Sequence, residues 1–560
     1  MNKKIISLFL AAVMALGIFT ACSKTNNGDG EDTADVEASS RTSMTLSFWL
    51  PTEKETTEEA KQLVEDAVNR ITQAKYDTAI ELHLIPRDEY QDAIDENLSR
   101  ITEIVAAEEE AEAQRKRELR ALKAQGVKVE ETTETTETES ETETKIDEIG
   151  FSSISYPEVG NKQMDIFLVQ GYENYTRYVD EELIQQLDSA LGETSKILKS
   201  YIYPTFLSVV KYNGGIYAIP NNQPASDYQY LLVNKELVDE YDYDADELTT
   251  FLKCGDFIKD IGYQHLDGVT PLLGEVDAAG MVYWGINGNS EWSVLASQIL
   301  TTMSNDSRCV PKSVFSTTAY VNTLKLVKEL ESLGYVGDGI PKEGEKFAVG
   351  VISGGPEIVE KYGDEYYTYV YSKPMLEDEQ VFDAMFAVST YSKNLSRSME
   401  ILTLLNTDTE FRTILQYGVE GVHWEYTDEE TKDAITILND DYQMKLTETG
   451  NVYMTYPGEG RSMDEWEYAK AKNLNAMASP FLKFPGYVND ENRKDLERLA
   501  KISADIKARI DACPYSELDA LLSTIRSEVN NNSTINKLLN DENENSVSAI
   551  YQSWYSETYP

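Results

Sequence analysis

Between Thr45 and Leu84 two apolar strand patterns flank one amphipathic helix, and that order restricts the fold more than any other feature of the chain. Thr45 to Leu50 (TLSFWL) reads as a short buried strand. Thr56 with Glu59 predicts a capping box that opens a helix carrying Leu63, Val64, Ala67, Val68 and Ile71 on one face. Ile80, Leu82 and Leu84 then alternate as a second strand. Strand, helix, strand in this order favours a parallel sheet covered by helices, with any ligand near the carboxyl ends of the strands.

The same grammar continues downstream. Met164 to Val169 (MDIFLV) is another buried strand, followed by the polar and aromatic loop Gln170 to Tyr175. Asn213, Gly214 and Gly215 predict a turn before Ile216 to Pro220. Leu231 to Val233 leads through Asn234 and Lys235 into a helix. Phe382 to Val388 is apolar, and Met399 to Leu405 carries a dense helical face expected to end near Gly418. No period of about 20 to 50 residues recurs, which argues against a solenoid. At 560 residues the chain exceeds one ordinary core, so two sizeable lobes are expected.

One segment departs from this pattern. Glu103 to Lys123 is rich in helix formers but polar on every side after Val105, which predicts a helix projecting into solvent. It runs into Glu130 to Lys145 (EETTETTETESETETK), acidic low complexity that cannot build a core and is expected to be disordered.

Charge and motifs exclude several functions. The formal charge is -48, so the surface repels phosphate backbones and nucleic acid is not an expected partner. His83, His265 and His423 show no metal-ligand spacing, and His83 sits in a strand pattern where a structural role is expected. GxxxxGK[ST], GxGxxG and GxSxG are absent. With 98 Asp and Glu, carboxylate pairs carry no information about hydrolysis. No catalytic residue, cofactor or metal is expected. If Cys22 is consumed by lipid, the remaining Cys254, Cys309 and Cys513 are no disulfide framework; buried apolar roles are expected, with one pairing left open.

Two resemblances follow. Lys3 and Lys4, the apolar run Ile5 to Phe19 and the ending Phe-Thr-Ala-Cys at Cys22 resemble a bacterial lipoprotein signal, which implies cleavage before Cys22 and lipid on its sulfur. Ser23 to Ser43 then reads as a flexible tether. The body resembles the extracellular solute-binding proteins of bacterial ABC importers, especially the maltodextrin-binding-like group and its larger lipoprotein relatives. The carriers are TLSFWLPTE (Thr45 to Glu53), MDIFLVQGY (Met164 to Tyr172), GGIYAIPNN with YLLVNKELV (Gly214 to Asn222, Tyr230 to Val238) and ILQYGVEGVHWEY (Ile414 to Tyr426). The resemblance implies a periplasmic-binding-protein-like α/β fold of two lobes joined by hinge-crossing strands. Expected boundaries are a signal over 1–21, a tether over 22–43, a first lobe over 44–220 with 390–445 (insertion 103–148), and a second over 221–389 with 446–560. Crossings are expected at Ala218 to Leu231 and near Ala384 to Tyr391. The implied protein is a monomer outside the membrane, anchored through Cys22, that binds a sugar and delivers it to ABC permease subunits.

Sugars present apolar C–H faces and a rim of hydroxyls, so their sites combine flat rings with Asp, Glu, Asn, Gln or Arg. Just beyond expected strands the chain supplies Trp49 with Glu53, Gln170 with Tyr172, and Asn221, Asn222 and Asp227 along the first crossing. Trp284 and Asn287, Gly354 and Glu357, and Glu420 with Trp424 complete the candidates. The competing readings are a cell-surface glycoside hydrolase and a receptor of the same fold for peptides or another non-sugar solute.

Overall fold

Leu46, Phe48 and Leu50 alternate along strand β1 (Met44–Thr52) and are wholly buried. The intervening Ser47 is buried too, so both faces of the strand are covered, as in a sheet sandwiched between helices. Thr57 caps α1 (Glu58–Tyr76) by accepting the Ala60 N–H at 3.2 Å, one residue later than the expected Thr56. Val64, Ala67 and Val68 face inward as expected, while Leu63 lies at the margin of the stripe and is exposed. Asp77, at φ 50°, closes α1 and turns the chain into β2 (Thr78–Pro86), which pairs with β1 in parallel from Met44 opposite Thr78 to Thr52 opposite Pro86.

The computed structural model describes residues 41–124, 145–146, 152–153, 156–274, 293–294, 299–302, 312–337, 344–459, 461–479, 481–540 and 542–558. The expected signal, the lipidation site at Cys22 and the tether up to residue 40 therefore lie outside the described residues, as do Cys309 and most of the acidic run. The projecting helix is the far half of a longer one, α2 (Arg87–Ala124). Tyr90, Ile94, Leu98 and Ile101 bury its first turns at helical spacing. Past Val105 its described side chains are exposed, and at 1.5 Å per residue the arm runs on for roughly 28 Å.

Helix α3 (Tyr172–Asp180) follows the first of the further strands that build the lobes and their link: β3 (Ile166–Val169), β4 (Ala218–Pro220), β5 (Tyr228–Asn234), β6 (Val269–Gly274), β7 (Val336–Gly337), β8 (Lys346–Gly354), β9 (Tyr366–Ser372), β10 (Met375–Leu376), β11 (Met385–Val388) and β12 (Met477–Ala478). Together with β1 and β2, eight of these strands form two five-stranded sheets, ordered β2-β1-β3-β11-β4 and β7-β6-β8-β5-β9, while β10 pairs with β12. In the first, β11 runs antiparallel to both β3 and β4. In the second, β6, β7 and β8 are parallel and β5 is antiparallel to β8 and β9. One core surrounds the first sheet. The second sheet has a large core on one face, with Leu231 and Val233 of β5, and a small one on the other, with Tyr230 and Leu232. This is the expected α/β fold of two lobes.

Among the described residues three passages join the lobes. Residues 221–227 link β4 to β5, within the expected first crossing. The second passage comes earlier than expected, at 373–377, because the run Ala384 to Val388 is already spent as β11 inside the first sheet. A third uses β12, which pairs in parallel with β10, after which Phe481 and Phe484 join the second core. Two corrections to the expected lobes follow. Residues 381–388 pack in the first core, and residues 446–469 belong with the first lobe, 446–451 held by Leu405, Arg412 and Gln416 and Val452, Tyr453, Trp466 and Ala469 packed against Tyr203. The helices from Arg493 to Thr558 cover the second core.

Local chemistry accounts for other boundaries. Asn213 (φ 48°) and Gly214 (φ 81°) form a two-residue turn closed by paired Tyr212 and Gly215 backbone bonds of 2.9 Å. The helix expected to reach Gly418 is broken at Asp408, whose carboxylate accepts the Phe411 N–H at 3.0 Å and starts a new helix. The halves are α4 (Leu395–Thr407) and α5 (Thr409–Tyr417). Buried Asp165 gathers the Ser47 N–H at 2.9 Å, the Gln163 amide at 2.7 Å, and the Ser392 hydroxyl and Lys393 N–H at 2.7 Å each. Cys254 is free and buried, as expected; Cys513 is free and only partly buried.

Candidate ligand-binding site

Chain direction decides where a site can form. β1 and β3 are parallel, and β4 runs the same way because β11 opposes both β3 and β4, so all three end at one edge. The first crossing leaves that edge at Pro220 and enters the second sheet at Tyr228, paired with Gly354 at the carboxyl end of β8. The carboxyl edges of both sheets therefore adjoin the same short crossing, where ligands of open α/β sheets bind.

At the first edge, the expected residues converge on one the sequence did not single out. Glu448, wholly buried on a short 3-10 turn (Leu446–Glu448), accepts through Oε1 from an Arg87 guanidinium nitrogen and from Gln170 Nε2 at 3.1 Å, and forms an ion pair with Lys445 Nζ at 3.4 Å. The other arm of the Arg87 fork holds Glu53. Asn221 donates to the Thr447 carbonyl at 2.9 Å. Hydrogen bonding to Glu448 pushes the Arg87 pKa above its ordinary value. Asp383 lies on the same edge, between Phe382, whose carbonyl accepts the Gly171 N–H at 2.8 Å, and Ala384, whose carbonyl accepts the Asn221 N–H at 3.0 Å. Burial, and secondarily Glu379, raises the Asp383 pKa. Trp49 lies flat on His83, 4.0 Å between ring centres at 7°. Burial pushes the His83 pKa down to about 4, which fits the structural role expected for this ring.

Four buried polar atoms here have no hydrogen-bond partner: Trp49 Nε1, Thr52 Oγ1, Asn221 Oδ1 and Glu448 Oε2. Buried polar groups are otherwise nearly always paired, so these four leave one donor, two acceptors and a hydroxyl unused around one strand edge. Among the described residues no group of three or more His, Cys, Asp or Glu could hold a metal ion.

The other candidates fall elsewhere. Tyr172 packs 4.9 Å from Phe382 and 6.5 Å from Tyr212, in the first lobe's aromatic core. Asn222 is structural: its Oδ1 accepts the Tyr203 N–H at 3.2 Å and its carbonyl accepts the Val452 N–H at 3.0 Å. Asp227 is exposed and pairs at 2.5 Å with Lys472 on helix α6 (Asp464–Asn475). Gly354 ends β8, and Glu357 accepts the Gly355 N–H at 2.6 Å through Oε1 while Oε2 is buried without a partner. Glu357 lines a cavity of about 350 Å³ with Pro224, Trp466 and Lys472, between the crossing and the second lobe. Glu420 and Trp424 line a separate pocket of about 460 Å³ against Ala67 and Ile71 of α1, at least nine residues along that helix from its end at the strand edge. Trp284 and Asn287 lie outside the described residues.

The sequence does not single out Arg87, Asp383, Lys445 or Glu448, which the structure brings to the same edge. Glu448 is one of 98 acids, and what sets it apart from buried Asp165 is a buried oxygen without a partner. The one available signal was the position of Arg87 directly after an expected strand.

No family model matches the chain. A curated relative, a carbohydrate ABC transporter substrate-binding protein of Streptococcus pneumoniae, is 23% identical over 398 residues, covering 66% of this chain and 78% of that protein. A solved N-glycan transport solute binding protein (NgtS) from Streptococcus pneumoniae is 17% identical, with 92% of this chain and 99% of that one covered and a TM-score of 0.49. An HMO-binding, ABC-transporter-associated solute binding protein from Bifidobacterium longum infantis is 14% identical, with 92% and 100% covered and a TM-score of 0.42. The resemblance to importer solute-binding proteins read from the sequence is borne out by the curated relative.

Proposed function

We propose that this chain, a relative of carbohydrate ABC transporter substrate-binding proteins, itself captures a carbohydrate between its lobes and hands it, chemically unchanged, to a membrane permease. The observation that carries the reading is the edge around Glu448, where Trp49, Thr52, Asn221 and Glu448 each keep one buried polar atom without a protein partner. Two carbonyl or carboxylate acceptors, an indole donor and a hydroxyl suit a ligand rimmed with hydroxyl groups. Glu357, on the far side of the crossing, adds a fifth such atom from the second lobe. A ligand touching both lobes stabilises the closed arrangement by its extra contacts there, and the permease reads closure. Two five-stranded lobes joined only by short passages can hinge in this way.

The finer assignments belong to the same proposal. Cys22 carries the lipid that holds the protein at the outer face of the membrane; no helix among the described residues is long and apolar enough to cross one. The protein acts as a monomer and binds oligosaccharides rather than peptides.

A thermal-shift panel tests the reading, with maltotriose, mannotriose, chitotriose and mannosyl-N-acetylglucosamine set against tri- to pentapeptides. Specific binding raises the melting temperature with ligand concentration. A shift with at least one sugar and none with the peptides, with the sugar recovered intact by mass spectrometry, is the expected result. Shifts with peptides alone replace the substrate class, and a hydrolysed sugar replaces the function with that of a glycoside hydrolase. Loss of membrane association in Cys22→Ser checks the anchor.

A further inference from the structure

Arg412 on α5 is wholly buried, yet no carboxylate contacts it among the described residues. Burial lowers its pKa to about 9. An unpaired buried cation is costly, and an apolar side chain of similar volume would pack there at less cost, so its retention calls for a specific role.

Its hydrogen bonds indicate that role. The guanidinium donates to the Leu446 carbonyl at 2.6 Å and to Gln416 Oε1 at 3.2 Å. Gln416, one helical turn further along α5, donates to the Met444 carbonyl at 2.7 Å and accepts from the Thr449 hydroxyl. From the opposite side Asn221 holds the Thr447 carbonyl at 2.9 Å. Gly450 ends the segment at φ +115°, where a Cβ would meet the Leu405 carbonyl at 2.8 Å and Arg412 Cδ at 3.2 Å, so glycine alone fits. Residues 444, 446, 447, 449 and 450 are thus each fixed to the body of the lobe or to the crossing. Between them, Lys445 and Glu448 remain directed at the cluster with Arg87 and Gln170.

We infer that Arg412 and Gln416 are positioning residues of the binding site: they clamp the Met444–Gly450 segment so that the unshared oxygen of Glu448 is held in place for a ligand hydroxyl. The inference rests on the reading of Glu448 as a ligand group, and it explains why a buried cation is placed where it meets no ligand itself. Because Asn221 opens the first crossing and also holds Thr447, the clamped segment links the ligand's anchor to the start of the hinge.

Two measurements on the full chain test it. In hydrogen–deuterium exchange of unliganded protein, Arg412→Met should speed exchange across 444–450 at least tenfold while the amides of β3 and β11 keep wild-type rates. Uniform acceleration, or none in that segment, overturns the clamp. If Arg412→Met does not fold, Gln416→Met, which leaves the charge in place, is read the same way. The second measurement titrates maltotriose, mannotriose and chitotriose by calorimetry into wild type, Arg412→Met, Glu448→Gln and the double variant. Arg412→Met should weaken binding roughly tenfold or more in the wild-type background. It should weaken binding less than twofold once Glu448 is Gln, because a residue acting through Glu448 has nothing left to position. Equal losses in both backgrounds overturn the positioning role. If none of these sugars binds wild type, the sugar reading has failed, and the exchange measurement alone decides the clamp.

Discussion

Glu448→Ala separates the ligand role of the buried carboxylate from its structural one. The side chain is 0% exposed and through one oxygen takes two hydrogen bonds and an ion pair. Removing one partner of a buried ion pair costs about 3–5 kcal/mol when the other charge is stranded. Stranding is incomplete here: the Arg87 side chain is 32% exposed and keeps Glu53, and Lys445 is 48% exposed and can turn to water. The cost to the unliganded protein should therefore fall to about 1–2 kcal/mol. Binding loses the charged acceptor that no protein group uses, about 1.5–3 kcal/mol, or roughly 10- to 100-fold in affinity. Glu448→Gln preserves shape and one acceptor, so it should spare most of the stability while still weakening the ligand. Urea unfolding of unliganded protein and calorimetric titration with whichever panel sugar binds give the two numbers. Wild-type affinity in Glu448→Ala, alongside the stability loss, would show that the ligand sits elsewhere and that the cluster is only structural.

Protonation of His83 should erode stability in acid. Its folded pKa of about 4 lies below the ordinary 6.5, so the unfolded chain takes up a proton that the folded one refuses; the contribution is complete above about pH 6.5 and shrinks as pH falls toward 4, by at most about 3 kcal/mol. His83→Phe should flatten that part of the unfolding profile, and an unchanged slope would discount the ring. Asp165→Ala strips the partners from two backbone N–H groups and two side chains in the core and should cost about 3–5 kcal/mol by urea unfolding; a loss under about 1 kcal/mol would mean that water replaces the carboxylate. Tyr468 on α6 donates to Glu360 of the second lobe at 2.7 Å, and that carboxylate raises its pKa to about 12. Tyr468→Phe removes this interlobe bond and should enlarge the radius of gyration of unliganded protein by small-angle scattering, whereas an unchanged radius would show that the bond does not restrain the lobes.

Local order is strong wherever a short stretch contains its own reason for its shape. Leu46, Phe48 and Leu50, the Val64 to Val68 stripe, the Asn213–Gly214 turn and the polar flank of α2 each appear where their patterns placed them. Errors arose where neighbours in sequence competed. Thr57 rather than Thr56 took the cap, Asp408 interrupted an apolar run that is helical on both sides, and Ala384 to Val388 joined a sheet instead of a passage between lobes. The site divides the same way. Glu53, Gln170 and Asn221 reach the edge of the proposed site because each follows a strand that its own residues announce, and strand ends collect at a common edge.

The sequence by itself determined the two-lobe α/β class, the edge where a ligand can bind and the residues that reach it directly from the strands, because apolar period and turn chemistry act over a few neighbours. Only the tertiary structure decided which of the 98 acids is buried at that edge, since Glu448 owes its place to Arg87, Gln170 and Asn221, residues 361, 278 and 227 positions away along the chain. It likewise set Glu420 and Trp424 against α1, in a pocket of their own, because the packing of α5 on α1 is a long-range contact that no local pattern encodes.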